Sequence, residues 1–241
     1  MNDTVPPSRA AILLVQLGTP DKPEVPEVRR YLREFLTDRR VVEQSPLIWW
    51  PILYSMVLTR RPKESAEKYR SIWTKAGSPL LVNTKLAAEA LQDELNKRGR
   101  QVEVVWAMRY GNPSMVEALR DLRDRGFSRI VVLPMYPQYS AATSGTVFDV
   151  IAREFLQWRS IPALRFLQSF HDDPGYIAAV AESIRHFWRQ SEAGKPEKLI
   201  FSFHGLPQSC VDQGDPYVKQ CQESAALIAA ALGLAKEDWL L

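Results

Sequence analysis

The sequence is poor in cysteine and has no long apolar run, and each shortage excludes a class of protein. Cys210 and Cys221 are its only cysteines, too few for a disulfide framework, so we expect two thiols and a reducing compartment. The uncharged run Gln44–Thr59 has 16 residues and two internal prolines, whereas a membrane-spanning helix needs about 20 apolar residues. The N-terminal Met1–Arg9 lacks the apolar centre of a signal peptide, so we expect none.

A large excess of one charge is also missing. The 241 residues carry 31 basic and 28 acidic side chains, a net charge of +3, which is too balanced for nucleic acid to be the main partner. The charge is uneven, because Arg29–Arg70 holds ten basic residues against five acidic ones. The sequence has no GxGxxG, no Walker lysine and no GxSxG, so nucleotide-binding and hydrolase interpretations lose support.

The run Gln44–Thr59 supports two interpretations. Trp49, Trp50 and Tyr54 are residues typical of a membrane interface, and Arg60 and Arg61 follow the run directly, so it could lie on a bilayer surface. The alternative is an amphipathic helix buried in the core. The sequence leaves both open.

Apolar strand patterns alternate with helical ones along the whole chain. The strands are predicted at Ala10–Leu17, Gln101–Met108, Arg129–Leu133, Ala163–Leu167, Lys198–Phe203 and Trp239–Leu241. The helices are predicted at Pro26–Leu36, Lys63–Trp73, Asn83–Arg98, Ser114–Arg125, Thr146–Trp158, Asp173–Gln190 and Asp215–Gly233. This order predicts an α/β fold with two similar doubly wound domains, residues 1–160 and 161–241. The second would have few strands, so we expect the chain to be part of a longer protein or to lean on a partner.

Ligands of open α/β sheets bind beyond the carboxyl ends of the strands. That rule selects four segments, which are Leu17–Pro20, Arg109–Pro113, Pro134–Ser140 and His204–Pro207. They offer aromatic rings, hydroxyls, one arginine and one imidazole, but no carboxylate pair. A cleft lined in this way suits a large, flat, apolar ligand.

His204 is the strongest candidate for chemistry, because it leaves an apolar strand directly into a Gly-Leu-Pro turn. Its imidazole could act as a base or a metal ligand, or could simply bond nearby backbone. His171 is better explained as a neighbour of Asp173, which caps a helix that starts with a proline, and His186 as a surface or packing residue. Arg109 could bind an anionic group or form a salt bridge to a neighbouring helix.

Six ordered blocks of the sequence together resemble the ferrochelatase family, whose members insert ferrous iron into protoporphyrin to make haem. The blocks are Val15–Pro20, Tyr31–Arg40, Ala76–Leu80, Met108–Pro113, Leu133–Ser140 and Phe201–Pro207. The resemblance covers nearly the whole chain from Ala11 onward. It implies a fold of two Rossmann-like, chelatase-type domains, the second of them incomplete here.

The resemblance implies a role for several residues. His204 matches the histidine that binds the incoming metal or takes pyrrole protons. The residues that match porphyrin-binding positions are Leu17, Arg61, Tyr69, Ser78, Arg109, Tyr110, Tyr136 and Tyr139. The segment 44–61 corresponds to the lip of the pocket, which faces the membrane in relatives, so we expect peripheral contact with a bilayer. Ala141 stands where animal members have a cluster-binding cysteine, so no iron–sulfur cluster is expected.

The expected activity is therefore insertion of Fe²⁺ into protoporphyrin IX by a cytoplasmic enzyme, peripheral at the inner membrane surface, with no tightly bound cofactor. One histidine binds a metal weakly, which suits a metal that is handed on. The alternatives are a related cobalt or nickel chelatase, or a tetrapyrrole-binding fragment without activity. The sequence does not fix the oligomeric state.

Overall fold

A computed structural model describes residues 9–192 and 194–241 of the chain. The first eight residues, which bear most of the expectation about a signal peptide, lie outside that range. By their contacts, the residues divide into two compact units. The first comprises residues up to 135 and 141–167, and the second comprises 136–140 and 168–241.

A four-stranded parallel sheet organises the first unit. Its strands, β1 (Arg9–Thr19), β2 (Val102–Gly111), β3 (Phe127–Pro134) and β4 (Ala163–Phe166), lie in the order β2-β1-β3-β4. Leu13, Leu14 and Val15 of β1 are fully or almost fully buried, as expected of a central strand of a parallel sheet. The α/β fold with a parallel sheet is thereby confirmed.

Helices connect the strands of this sheet. They are α1 (Val25–Leu36), α2 (Pro46–Ile52), α3 (Leu58–Ile72), α4 (Pro79–Lys97), α5 (Met115–Asp124) and α6 (Thr146–Phe155). Two π-helical turns, Leu53–Val57 and Ala141–Gly145, precede α3 and α6. Pro51 lies just before the first of them, and a proline nitrogen cannot donate to the helical hydrogen-bond ladder, which favours an irregular turn there.

The second unit contains two short parallel strands and three helices. Strands β5 (Leu199–Ile200) and β6 (Trp239–Leu240) pair with each other. Helix α7 (Pro174–Gln190) precedes β5 in the chain, and helices α8 (Gln208–Asp212) and α9 (Tyr217–Leu232) lie between β5 and β6. Helix α7 packs against α9. Asp173 caps α7 as predicted, since its Oδ1 accepts from the Gly175 and Tyr176 N–H groups at 2.9 and 3.0 Å.

Several sequence-based boundaries are wrong. The strand at Ala163 pairs with β3 in the first sheet, so the change of unit falls after residue 167 rather than near 160. The alternation of patterns shows that a strand exists, but not which sheet its backbone joins. Helix α4 begins at Pro79 with Ser78 as its cap, not at Asn83, because the Ser-Pro pair supplies both the capping oxygen and a preset φ. Likewise α3 begins at Leu58 rather than Lys63, because the helix continues directly from the π-helical turn Leu53–Val57.

Candidate functional site

The order β2-β1-β3-β4 places a switch point between β1 and β3, where the chain reverses its direction across the sheet. In such sheets the ligand crevice lies outside the carboxyl ends of the strands beside the switch. The strands beside the switch are β1, which ends with Leu17 and Thr19, and β3, which ends with Pro134. On the other side of β1, Arg109, Tyr110 and Gly111 end β2. The sheet therefore brings two of the four predicted segments together.

Two glycines allow this close approach of β1 and β2. Gly18 has φ +114°, and a Cβ added there would lie 1.8 Å from the carbonyl oxygen of Tyr110. Gly111 has φ +83°, and its Cβ would lie 2.7 Å from the carbonyl oxygen of Thr19. Both distances are far shorter than a carbon–oxygen contact, so a side chain at either position would push the strand ends apart.

Arg109 and Tyr110 share one carboxylate, that of Asp38. The Arg109 guanidinium forms an ion pair with Asp38, and both side chains are 8% exposed. The Tyr110 hydroxyl donates to Asp38 Oδ2 at 2.9 Å, and Arg109 Nε donates to the carbonyl oxygen of Thr146 at 3.1 Å. The guanidinium also lies 4.2 Å from the centre of the Tyr110 ring. Arg109 is thus in the salt bridge named above as the alternative to anion binding.

Asp38 is a residue that the sequence analysis missed as an individual. It lies in the block Tyr31–Arg40, which carried the resemblance, but no role was assigned to it. Besides Arg109 and Tyr110 it accepts from the Arg40 N–H at 2.9 Å. Arg40 in turn forms two hydrogen bonds to Asp149 on α6, at 2.6 and 2.9 Å. An acidic residue next to a helix end, in a block rich in arginine, is the signal that could have identified it.

An aromatic cluster follows the strand ends. Tyr110 packs edge to face with Phe35, and Tyr31 stacks parallel to Phe35 with 6.2 Å between ring centres. Tyr69 meets Tyr31 edge to face. Leu17 packs against the same cluster. Three predicted porphyrin residues therefore belong to one apolar cluster, in which Tyr110 is fully buried and Leu17 and Tyr69 are partly exposed.

Arg61 lies near this cluster but on the surface. Burial raises the pKa of the Tyr69 hydroxyl, and the positive charge of Arg61 acts in the opposite direction. Arg61 is exposed and is found in no ion pair among the described residues. An exposed, unneutralised guanidinium beside an aromatic cluster is suited to a carboxylate at the edge of a flat ligand.

Ser78 has a structural role as the N-cap of a helix. It is 3% exposed, and its hydroxyl accepts from the Leu81 N–H at 3.2 Å, which caps α4. A serine hydroxyl can still donate while it accepts, so its predicted contact with a propionate stays a prediction.

The run Gln44–Thr59 has one side buried in the core and another side exposed. Trp49 packs against the core, and its indole N–H donates to the carbonyl oxygen of Leu36 at 2.7 Å. Leu53 is fully buried, whereas Trp50 is 50% exposed. Other large apolar side chains share that exposure, namely Leu47, Ile48, Ile52, Tyr54 and Met56. One face of the segment therefore belongs to the core, and the other is left open.

In the second unit, a hydrogen-bond network holds the segment 136–140 against α9. The Gln138 amide donates to the hydroxyl of Ser224 at 2.8 Å, and Ser224 donates to the His171 carbonyl oxygen at 2.8 Å. The Tyr139 N–H donates to the Gln220 side chain at 2.7 Å. These bonds fix the backbone that carries Tyr136 and Tyr139, both partly buried.

His204 lies on the wall of a cavity of about 400 Å³ in this unit. The cavity is lined mainly by apolar and aromatic groups, among them Phe201, Phe203, Leu206 and Tyr217. His204 is exposed, and its Nδ1 lies 2.7 Å from the carbonyl oxygen of Gly205. A carbonyl oxygen only accepts, so this bond assigns the proton to Nδ1 and leaves the lone pair on Nε2. That nitrogen can take a proton or bind a metal ion.

Tyr217 on α9 supports the His204 segment from behind. It lines the same cavity as His204, and the nearby His204 backbone acts to lower the pKa of its hydroxyl. Burial raises the pKa of Tyr217 to about 12, with the neighbouring Cys221 a smaller cause. Sequence analysis did not identify Tyr217, because nothing in the pattern of α9 distinguishes a tyrosine that packs from one that positions a neighbour.

The other histidines lie away from this cavity. His171 is 8% exposed, and its Nε2 lies 2.8 Å from Glu223 Oε2. His186 is exposed on α7. Within residues 9–192 and 194–241, no group of three or more metal-binding side chains comes together, and no helix combines the length and apolar character needed to cross a membrane. No disulfide joins Cys210 to Cys221.

Known proteins are similar to this sequence over most of its length. The family model for ferrochelatase matches residues 9–241. The ferrochelatase of Methylococcus capsulatus is 53% identical over 97% of the chain and 70% of its own length. The ferrochelatase of Aromatoleum aromaticum is 49% identical over 98% of the chain and 64% of its own length, and ferrochelatase 2 of Shewanella oneidensis is 47% identical over 97% and 71%. The chain spans between 62% and 71% of the length of these and similar relatives.

Proposed function

The chain belongs to the ferrochelatase family, and we propose that it carries out the insertion of Fe²⁺ into protoporphyrin IX to form protohaem. The observation that carries the proposal is His204. Its backbone-bonded Nδ1 leaves Nε2 with a lone pair, at the wall of an aromatic cavity. The names of the relatives favour iron insertion over the cobalt, nickel and inactive alternatives.

The reaction exchanges protons for a metal. Two pyrrole N–H groups of the porphyrin lose their protons, and Fe²⁺ takes their place among the four nitrogens. Neutral His204 could accept one of these protons at Nε2, or hold Fe²⁺ through that nitrogen before transfer. Fe²⁺ is here a substrate, and a single imidazole ligand leaves the remaining positions of the metal open to the porphyrin.

The residues proposed to bind the porphyrin divide between the two units. In the first, Leu17 and Tyr69 supply apolar surface backed by the buried Tyr110, and the exposed Arg61 supplies a positive charge for a propionate. In the second, Tyr136 and Tyr139 lie on the backbone that α9 holds in place. Arg109 is already paired with Asp38, so we propose that it acts by fixing Tyr110 rather than by binding an anion itself.

Iron insertion is tested directly with the 241-residue chain, protoporphyrin and Fe²⁺ under anaerobic conditions, followed by the absorbance of haem. We expect haem to form faster than in the same mixture without protein. Porphyrin binding without turnover would instead identify a tetrapyrrole-binding module. Parallel assays with Co²⁺ and Ni²⁺ identify a chelatase of different metal preference.

We also propose that the protein works at the cytoplasmic surface of the inner membrane, which it contacts through segment 44–61. The open apolar side chains of this segment support the proposal, with Trp50 and Tyr54 among them. Trp50→Ser should lower association with vesicles and leave the free energy of unfolding nearly unchanged. Trp49→Ser is the matched comparison, and should mainly destabilise the fold because Trp49 bonds to Leu36. Unchanged vesicle association of the folded Trp50 variant would contradict the proposed contact.

A further inference from the structure

The first unit contains a cavity that has no part in the proposed reaction. It has a volume of about 520 Å³ and lies between α1 and the start of α3. Arg29, Arg30 and Arg33 line it from α1, and Tyr54 and Thr59 line it from the other side. None of the residues predicted to bind porphyrin lines it. We call this cavity the arginine groove.

The charges of the arginine groove do not cancel. Arg30 is neutralised by Asp21 at 3.0 Å. Arg29 and Arg33 form no ion pair with any described residue, and Glu27 is the one acidic side chain among the described residues that line the groove. Arg29 is held in place, since its Nε donates to the carbonyl oxygen of Leu58 at 3.0 Å. A fixed guanidinium and a second one a helical turn away form a site with a net positive charge.

The arginine groove is continuous with the open apolar face of segment 44–61. Tyr54 belongs to both, because it lines the groove and is 51% exposed. Leu47, which is 88% exposed, and Met56, which is 55% exposed, extend the apolar side. Thr59 lines the groove, and the exposed Arg60 follows it directly. Apolar side chains next to a cluster of arginines match the profile of a bilayer, where acyl chains lie beneath charged headgroups.

We propose that the arginine groove binds the phosphate of an anionic phospholipid while the apolar face enters the bilayer. The chemical basis is the guanidinium, whose planar array of N–H donors fits phosphate oxygens two at a time. The proposal rests on the membrane contact proposed above and goes beyond it, because it assigns a lipid class and the residues that select it. Zwitterionic lipids offer the same acyl chains without the net negative charge.

The test measures association with vesicles of phosphatidylcholine alone and with vesicles that also contain phosphatidylglycerol. Arg33→Gln should weaken association with the anionic vesicles by about fivefold, the usual contribution of one basic residue near an anionic surface. Arg29→Gln should act similarly, and Arg33→Lys should lie between Gln and the original residue because it keeps the charge but loses the paired donors. Association with phosphatidylcholine vesicles should not change.

Arg100→Gln is the matched control. Arg100 is exposed, precedes β2 at the opposite end of the sheet, and its loss changes the net charge by the same amount. If Arg100→Gln weakens anionic association as much as Arg33→Gln does, net charge alone explains the effect and the groove is not a site. Thermal unfolding of each variant confirms that the protein is folded.

The remaining outcomes separate this proposal from the others. If Trp50→Ser weakens association with both vesicle types while Arg33→Gln and Arg29→Gln alter neither, membrane contact stands and the headgroup site is refuted. If inorganic phosphate at low millimolar concentration displaces the protein from anionic vesicles while an equal ionic strength of chloride does not, the groove binds free phosphate rather than selecting lipid. The original protein could instead bind neither vesicle type but self-associate, and Trp50→Ser could abolish that self-association. This result would assign the apolar face to contact with a second copy of the chain. Iron insertion in solution reports on the reaction independently of all three results.

Discussion

At the scale of single residues, a partner decides the role of a side chain. Arg109 at the end of a strand is free to bind an anion only if no carboxylate of the protein reaches it first. Asp38 does reach it, and the two side chains are almost completely buried together. The bond of Asp38 to Tyr110 joins the ion pair to the aromatic cluster.

Removing one member of this ion pair should be costly. Arg109→Gln should lower the free energy of unfolding by about 3–5 kcal/mol, because it leaves the Asp38 charge buried without its partner. The measurement is urea denaturation. Asp38→Asn combined with Arg109→Gln should lose less than the sum of the single variants, since neither charge is then stranded. Arg98→Gln is the control: its pair with Glu94 is exposed, so a change near zero is expected.

His204 is the residue on which the chemistry depends. His204→Ala in a preparation that shows iron insertion should reduce kcat by at least about 10²-fold, the lower scale for loss of a general base. Porphyrin affinity should be retained, because the proposed binding surface comes from other residues. His186→Ala, on the surface of α7, should leave turnover unchanged. Reduced porphyrin affinity with kcat intact would mean that His204 only shapes the cavity.

At the scale of elements, α9 determines how two segments of the second unit are held. Its residues Gln220 and Ser224 form hydrogen bonds to the segment 136–140, and Tyr217 lines the same cavity as His204. Helix α9 therefore positions the backbone that carries Tyr136 and Tyr139, and it also contributes Tyr217 to the cavity of the proposed catalytic histidine. The two hydrogen bonds from α9 limit the movement of the segment 136–140.

Ser224 is the element contact that is easiest to test. Ser224→Ala should lower the free energy of unfolding by about 1–3 kcal/mol, because the side chain is 0% exposed and its loss leaves the Gln138 amide and the His171 carbonyl without their bonds. Hydrogen exchange should quicken at the Gln138 and Tyr139 amides. Ser183→Ala on the exposed face of α7 is the matched control and should be nearly neutral. Equal exchange rates in both variants would refute the clamping role of Ser224.

At the scale of the whole molecule, buried phenols link stability to alkaline pH. Burial raises the pKa of Tyr31 and the pKa of Tyr110 in the first unit. In the second unit, burial raises the pKa of Tyr217 to about 12. A raised pKa means that the folded state holds the proton more tightly than the unfolded state. The stability from these groups is therefore complete below about pH 10, where exposed phenols ionise, and is lost as the pH rises through the folded-state value.

The urea concentration at the midpoint of unfolding should accordingly be lower at about pH 11 than at about pH 9. Tyr31→Phe should show a smaller fall than the original protein, because one raised phenol has been removed. Tyr54→Phe, at an exposed position, should fall as much as the original. An identical fall in the Tyr31 and Tyr54 variants would show that other groups govern the alkaline loss.

The sequence by itself determined the α/β class, the central strand and the family. A continuous apolar run such as Leu13–Val15 can only be satisfied by burial on both faces, and the ordered blocks are local in the chain. Helix ends set by local chemistry, such as Asp173 before Pro174, were predictable for the same reason. His204 as a candidate also followed from its place at a strand end, and its role stays a prediction.

Only the tertiary structure decided which groups meet. It placed β4 beside β3, paired Arg109 with Asp38, a residue 71 positions away, and set Ser78 to cap a helix. It also separated Trp49, bonded to the core, from Trp50, open to solvent, although the two are adjacent in the sequence. Periodicity and composition describe the neighbours of a residue along the chain. Burial, ion pairing and exposure depend on neighbours in space, which only the folded arrangement supplies.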